Sequence, residues 1–586
     1  TCARRVLRGW SASSSPVSVT ARPRPGKPST VEFGARATGP TAERRTTPGR
    51  RPWPPMAALG SAAMSSERRR WWATFTVVVI VGVTWALSVP PAGGPDEHAH
   101  LVKAAAVAGG DLSTAVTWQE AWLGEMPTTS VRVPEGYHYS AMWEQVGCWT
   151  GQWYQQARCA PPLAERSGPT VTTDTYVGPY QPLYYAVVGL PTRFWPPSRG
   201  VYAARILSVA VGAALVASAL ASARRLGGWA TTGTLLALPV AVVYLASTVN
   251  PQGPEILAAL ALWTTGLLVF GRSAPTRREV VRLTVAAVVT TSARPTGPAL
   301  TGLIIVMLVL AAADADRFRA LWRRRSARAA AALVAVAFVI NLAHVIATRA
   351  LSSVMKTPRP DGLTDELLQR VVDGLPTLVS DQVGLISWHG IITLHLPRPL
   401  ELAWLGVIGT LVIGALIAGS ARTRLVLLAV VAGWAVMPLA ALVSQPEVSW
   451  QGRYGLPIGV GIPVLAGWMV DRHQPLRRWA APAIAGYSLL NAVCLLVSHQ
   501  ALMSRNLHGQ PSRVFAPRDN SLWNGPFTPD ALFAAALIAS GAVAALGLLA
   551  ALAVWRSGAP GPPARPVPPD PDGAEHPVHE VATAGT

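Results

Sequence analysis

The chain has 586 residues, half of them hydrophobic and only 14% charged, well below the roughly 25% charge of an ordinary soluble protein. Charge is almost absent from 203–222, 229–248, 424–443 and 479–498, which excludes a soluble globular protein. The net charge of +20 does not indicate a nucleic-acid partner, because residues 1–70 alone hold 14 Arg or Lys against Glu32, Glu43 and Glu67, and most of the rest lies in short loops, where basic residues set membrane orientation.

Residues 1–70 are rich in Arg, Pro, Ser and Thr without an apolar period, and read as a disordered basic tail. Met56 and Met64 are alternative starting points. The polytopic membrane domain is expected over 71–555. About 20 apolar residues as a helix cross a hydrocarbon core roughly 30 Å thick, and a backbone in lipid must satisfy its own hydrogen bonds. About twelve spans fit: 72–89, 203–222, 229–248, 254–271, 279–292, 298–314, 329–347, 401–419, 424–443, 455–470, 479–498 and 530–555. The expected fold class is an all-α integral membrane protein of about 12 transmembrane helices, with a large first extracytoplasmic loop. A membrane β-barrel would show alternation over short segments, and none is read. Residues 182–195 are apolar and read as an interfacial or re-entrant helix, and 556–586 as a disordered Pro-rich cytoplasmic tail.

Orientation follows from charge. Arg68-Arg69-Arg70 precede the first span, so the N-terminus should be cytoplasmic. Alternation then puts Arg224-Arg225, Arg272 to Arg282, Arg317 to Arg328, Arg422 and Arg424, and Arg472 to Arg478 on that same side. The opposite short loops carry only Arg294 and Arg453. Both termini are then cytoplasmic in a bacterial plasma membrane, and loops 90–202, 349–400 and 499–529 are extracytoplasmic. The first of these is rich in Trp and Tyr, suited to a lid at the membrane interface. It carries Cys148 and Cys159, which an oxidising compartment would allow to pair; two free thiols are the alternative. Cys494, inside a span, reads as a packing residue.

The sharpest motif follows the first span: Pro90-Pro91-Ala92-Gly93-Gly94-Pro95-Asp96-Glu97-His98-Ala99-His100. Pro and Gly end the span, and 97–108 then reads as a helix with Asp96 at its N-cap. Asp96 could be a cap and nothing more. A zinc site at His98 and His100 lacks the i, i+4 spacing of the zincin helix. The functional reading gives Asp96 and Glu97 to catalysis, as general base on a hydroxyl or as ligands of a divalent cation, Mg or Mn.

An acidic pair just after the first span, in a large outer loop, resembles the GT-C superfamily of membrane glycosyltransferases, which use polyprenyl-phosphate sugars. More narrowly, residues of about 75–500 resemble a bacterial family of predicted membrane proteins, domain of unknown function 2142. Four stretches carry this: Pro95 to His100; Tyr180-Gln181-Pro182-Leu183-Tyr184-Tyr185; Asn250-Pro251-Gln252-Gly253-Pro254-Glu255; and Gln451-Gly452-Arg453-Tyr454-Gly455-Leu456-Pro457. The resemblance implies a GT-C-like inverting transferase. Its partners would be membrane lipid, a polyprenyl-phosphate-linked sugar donor and an envelope glycan or lipid acceptor. Substrate-binding candidates are His100, Glu255, Arg294, Arg453 and Tyr454. The two arginines suit a phosphate because the guanidinium fork makes paired charge-assisted bonds. Glu255 could instead satisfy its own helix start, and Arg453 could pair with Glu447. His344 and His389 are weaker candidates. A transporter or flippase of lipid-linked sugars, and a non-catalytic envelope-assembly protein, are the alternative functions.

Overall fold

In the computed structural model the described residues run from 56 to 558, apart from 122–123, 150–151, 153, 352–387, 390–391, 394–396, 445–450, 474–475, 477, 510–517 and 520–521. Backbone contacts group Thr1–Leu59 as one unit and Gly60–Thr586 as another; the description below concerns the second. Among the described residues eight helices are long and apolar enough to cross a membrane, and they fall on eight of the twelve expected spans. They are α1 (Met56–Ser88), α5 (Pro197–Leu226), α8 (Gln252–Phe270), α12 (Arg325–Thr348), α13 (Arg398–Ala418), α14 (Ala421–Ser444), α17 (Ala480–His508) and α18 (Pro529–Gly558).

Four expected spans take another form. Residues 229–248 are two helices, α6 (Gly228–Leu236) and α7 (Val240–Ala246), bent by 67°, because Pro239 cannot continue α6. Residues 279–292 and 298–314 are the shorter α9 (Arg277–Ala293) and α10 (Gly297–Ala312). Residues 455–470 are broken into a 3-10 turn over Gly452–Gly455, α15 (Leu456–Gly459) and α16 (Gly461–Val470). The helix predicted over 479–498 runs on to His508. Residues 182–195 form the short α4 (Pro182–Val188) and a 3-10 turn over Leu190–Arg193.

Burial follows composition. α8 is apolar all round and nearly every residue in it is buried, as expected of the centre of a bundle. Its Trp263 donates to the Pro457 carbonyl at 3.2 Å and lies flat against Gly461, where a Cβ would strike the indole. By contrast α12 exposes Leu333, Val336, Val339, Ile340 and Ile346, the surface a lipid-facing helix carries. α6 and α16 touch backbone to backbone: a Cβ at Gly233 would strike the Pro463 carbonyl, and one at Gly467 the Trp229 carbonyl. Small residues permit this approach in apolar surroundings.

The all-α expectation needs correction in the first loop, where α2 (Glu97–Ala108) and α3 (Tyr139–Gly147) accompany an antiparallel sheet of β1 (Thr117–Ala121), β2 (Gly124–Pro134) and β3 (Thr170–Thr175), in that order. Alternation does exist here: Val131 and Val133 are buried while Ser130 and Arg132 are exposed, and β-branched residues suit a half-buried pleated face. Val131 pairs with Thr173 and Val133 with Val171. The sheet is tied to α2 by Thr175 Oγ1, which donates to the Ala99 carbonyl at 3.1 Å.

Cys148 and Cys159 form a disulfide, and Cys494 is free and buried. The bridged segment also receives Arg505 of α17, which donates to the carbonyls of Trp149, Gln152 and Gln155 at 2.8–3.2 Å. Cys148→Ser with Cys159→Ser is therefore expected to lower unfolding stability by about 2–3 kcal/mol, the value for closing a loop of this length. Thermal unfolding with and without reductant checks it; an unchanged midpoint would refute it.

Candidate functional site

The site starts with the way α1 ends. Pro90 and Pro91 stop the helix, and the chain turns back through Ala92 and Asp96, both with left-handed backbone (φ 55 and 57). Asp tolerates this region and Ala does not, so the turn must be held from outside. Arg205 of α5 does so with all five of its N–H donors. Nη1 donates to the carbonyls of Ala86 and Val89 at 2.8 and 2.7 Å, and Nη2 to that of Pro90 at 2.7 Å. Nε and Nη2 form a forked pair with the Glu97 carboxylate at 2.7 and 2.6 Å. The other lone pairs of Glu97 accept from the Gly94 and Val249 N–H at 2.9 and 2.8 Å. Tyr244 donates to the Gly93 carbonyl and Asn250 to that of Pro95.

Glu97 is thus fully buried, with both oxygens of its carboxylate occupied. It does not stand beside Asp96 as a second catalytic or metal-binding carboxylate. The residues present do not fit a divalent cation: Glu97 has no oxygen to give, Asp96 faces a guanidinium, and among the described residues no three His, Cys, Asp or Glu side chains gather as metal ligands.

Asp96 occupies the N-cap position of α2, yet its side chain makes no cap bond. Its two oxygens point to different partners. Oδ2 accepts from Arg453 Nη2 at 2.6 Å, and Oδ1 accepts from the Tyr176 hydroxyl at 3.0 Å. Arg453 is buried at 3% side-chain exposure, while Asp96 keeps 40%, so the carboxylate can be reached. Burial alone would raise the Asp96 carboxyl, but the Arg453 guanidinium, together with the neighbouring His100 and His98, more than offsets it and holds the acid well below the usual carboxylate range. A group depressed in this way stabilises the fold fully above its unfolded value, and that contribution is lost only as pH falls through the depressed one.

On the Arg453 side lies a second cation. The Tyr454 ring is shared by both, with the Arg453 guanidinium 5.4 Å and that of Arg294 5.1 Å from its centroid. Arg294 also lies 6.0 Å from the Tyr180 ring and 3.6 Å from the buried Glu255 carboxylate, to which Thr296 donates at 3.4 Å. Glu255 therefore balances Arg294 rather than serving only its own helix start. His100 Nδ1 lies 2.8 Å from the Tyr185 hydroxyl, with its ring stacked on that of Tyr185. Burial pushes His100 down to about 3 and His98 to about 4, so both are neutral at pH 7. His98 Nε2 is 3.3 Å from the Tyr176 hydroxyl.

All four sequence motifs therefore meet at one place. Asp96, Glu255, Arg294, Arg453, Tyr454 and His100 are brought together, with Glu97 beneath them as an anchor. His344 bonds the Pro179 carbonyl at 2.9 Å; the His389 side chain and Glu447 lie outside the described residues. Two participants were not anticipated. Arg205 had a signal, a lone cation in an apolar span; Tyr176 had none beyond being an aromatic in the loop.

The profile of the predicted membrane protein family DUF2142 matches residues 79–462, about two thirds of the chain. The chain belongs to the DUF2142 family. No curated protein matches it. Two solved structures of ArnT from Cupriavidus metallidurans are similar to this DUF2142 chain, one bound to undecaprenyl phosphate and one in the apo state. The first has 15% identity and a TM-score of 0.37, covering 83% of this chain and 78% of that one. The second has 13% identity and a TM-score of 0.38, covering 85% and 77%. A likeness of that size carries no argument about the chemistry, which rests on the site itself.

Proposed function

We propose that this DUF2142 protein is a membrane glycosyltransferase that moves a sugar from a polyprenyl-phosphate donor to an envelope glycan or lipid acceptor, at the extracytoplasmic ends of its helices. The observation that carries this reading is a reachable carboxylate, Asp96, bonded to Arg453, with Arg294 on the same Tyr454 ring as Arg453. In this reading Asp96 takes the proton from the acceptor hydroxyl. The acceptor oxygen attacks the anomeric carbon as the carbon–oxygen bond to phosphate breaks, with inversion. The phosphate leaves as an anion held by Arg453 and Arg294, which is stabilisation of charge where it develops. No step is routed through a metal ion.

The basic residues support the orientation. Arg225 and Arg272 both pair with Glu279, and Arg282 with Glu67, so they gather at the end of α5, α8 and α9 away from Asp96. By the positive-inside rule that end is cytoplasmic.

The test uses full-length protein in lipid nanodiscs with radiolabelled polyprenyl-phosphate sugars. Wild type is expected to turn donor over. Arg294→Gln and Arg453→Gln are each expected to weaken donor binding by about tenfold or more, the worth of a hydrogen bond to a charged group. Donors that bind without turnover, with an affinity indifferent to both arginines, would refute the proposal.

A further inference from the structure

The donor side of Asp96 is its Oδ2 oxygen, which faces Arg453. What lies on the other side is a set of aromatic rings. Tyr176, bonded to Oδ1, is in contact with His98, and around the His98 imidazole stand Trp143, Tyr139 and Tyr176, edge-on, at 5.1, 5.5 and 5.8 Å between centroids. Tyr176 is half-buried against them, and Trp143 is 40% exposed. It is also fixed in place. One edge of the indole meets His98, and its Nε1 side covers Gly147, where an added Cβ would come within 2.9 Å. Met142, Gln145 and Val146 anchor α3 on its buried side, so the helix presents Ser140, Trp143 and Glu144 outward.

An indole face beside a hydroxyl and a carboxylate has a defined chemical complement. A lipid-seated Trp is expected among apolar or basic neighbours, and a carboxylate there would be repelled by anionic headgroups. A sugar ring suits the arrangement better. One face of a pyranose is a patch of C–H groups that stacks on an aromatic plane, and its rim of hydroxyls needs hydrogen-bonding groups placed around that plane.

Resting on the transferase reading, we infer that Trp143, with Ser140 and Glu144 of α3, is a stacking platform for a sugar ring of the acceptor, which makes the acceptor a glycan rather than a plain lipid alcohol. The acceptor reaches Asp96 from the Tyr176 side, while the donor phosphate lies on the Arg453 side. Trp143 then sets acceptor affinity and takes no part in the chemical step.

The experiment is saturation-transfer NMR on the full-length protein in nanodiscs, without donor, using methyl α-mannopyranoside, methyl β-galactopyranoside and methyl α-arabinofuranoside as probes. Wild type is expected to saturate the protons of one sugar face. Trp143→Ala should weaken binding about tenfold, the scale of one aromatic contact, and Trp143→Phe by less. Trp143→Phe keeps a ring against His98, so it decides the matter if Trp143→Ala does not fold. No saturation of any probe by wild type, or saturation that neither Trp143 variant changes, would overturn the inference. Donor turnover by wild type is measured separately. Glycan binding at Trp143 without any turnover would sink the transferase reading and leave the platform, while turnover with glycan binding indifferent to Trp143 would do the reverse.

Discussion

Asp96→Asn is expected to lower donor turnover by about 10²–10⁴-fold, the usual contribution of a general base, without loss of donor binding. The amide keeps the shape of the carboxylate and can still accept from Tyr176. It removes the anion from Arg453, whose guanidinium is nearly fully buried. A phosphate then meets Arg453 without competition from the Asp96 anion, so donor affinity should hold or rise as the rate falls. Turnover within about threefold of wild type would remove Asp96 from the mechanism.

The same geometry gives a pH signature. Paired with Arg453, Asp96 is held well below the usual carboxylate range, which makes it a weak base. A donor phosphate that draws Arg453 onto itself lessens that pairing, and the acid rises toward its ordinary value. The active form is the ionised one, so activity falls as pH drops through that value. The acid limb of kcat, which reports the bound enzyme, should lie at higher pH than that of kcat/KM, which reports the free enzyme. In Arg453→Gln the two limbs should converge.

The second large effect is on stability. Glu97→Ala is expected to cost about 3–5 kcal/mol, because it strands a fully buried guanidinium without its anion. Gly94 and Val249 lose their acceptor as well. Glu97→Gln should also destabilise, since its amide must turn a donor toward groups that are themselves donors. Arg205→Met in the Glu97→Ala background cannot restore the wild-type value, because the Ala86, Val89 and Pro90 carbonyls then lose the arginine that caps them. Thermal unfolding in nanodiscs measures all three. A Glu97→Ala midpoint indistinguishable from wild type would refute the anchor.

Much of this was legible in the residues. The Pro-Gly run after α1 marked the end of a span, and the helix over 97–108 followed from it with the bounds observed. Asp96, Arg294 and Arg453 stood out as charges at span ends. The split of the acidic pair was not legible: adjacent residues at a helix start point in different directions, and only the position of Arg205 on α5 decides which is buried. The break in 229–248 has a signal at Pro239, and a span drawn on apolar length alone runs through it. The sheet was not legible because its alternating residues, Thr129 to Val133, form a short run within a long aromatic-rich loop.

The glycine contact between α6 and α16 has a mechanical side. Where side chains lie between two helices they act as bearings, adopting new rotamers as one helix slides past the other. Between Gly233 and Gly467 there is nothing to readjust, and a slip of a single turn would press a Cβ into a carbonyl. The two helices must travel as one rigid piece. A carrier that rocked one half of its bundle against the other would have to place its moving boundary elsewhere, so this seam offers a fixed reference against which any conformational cycle of the protein can be measured.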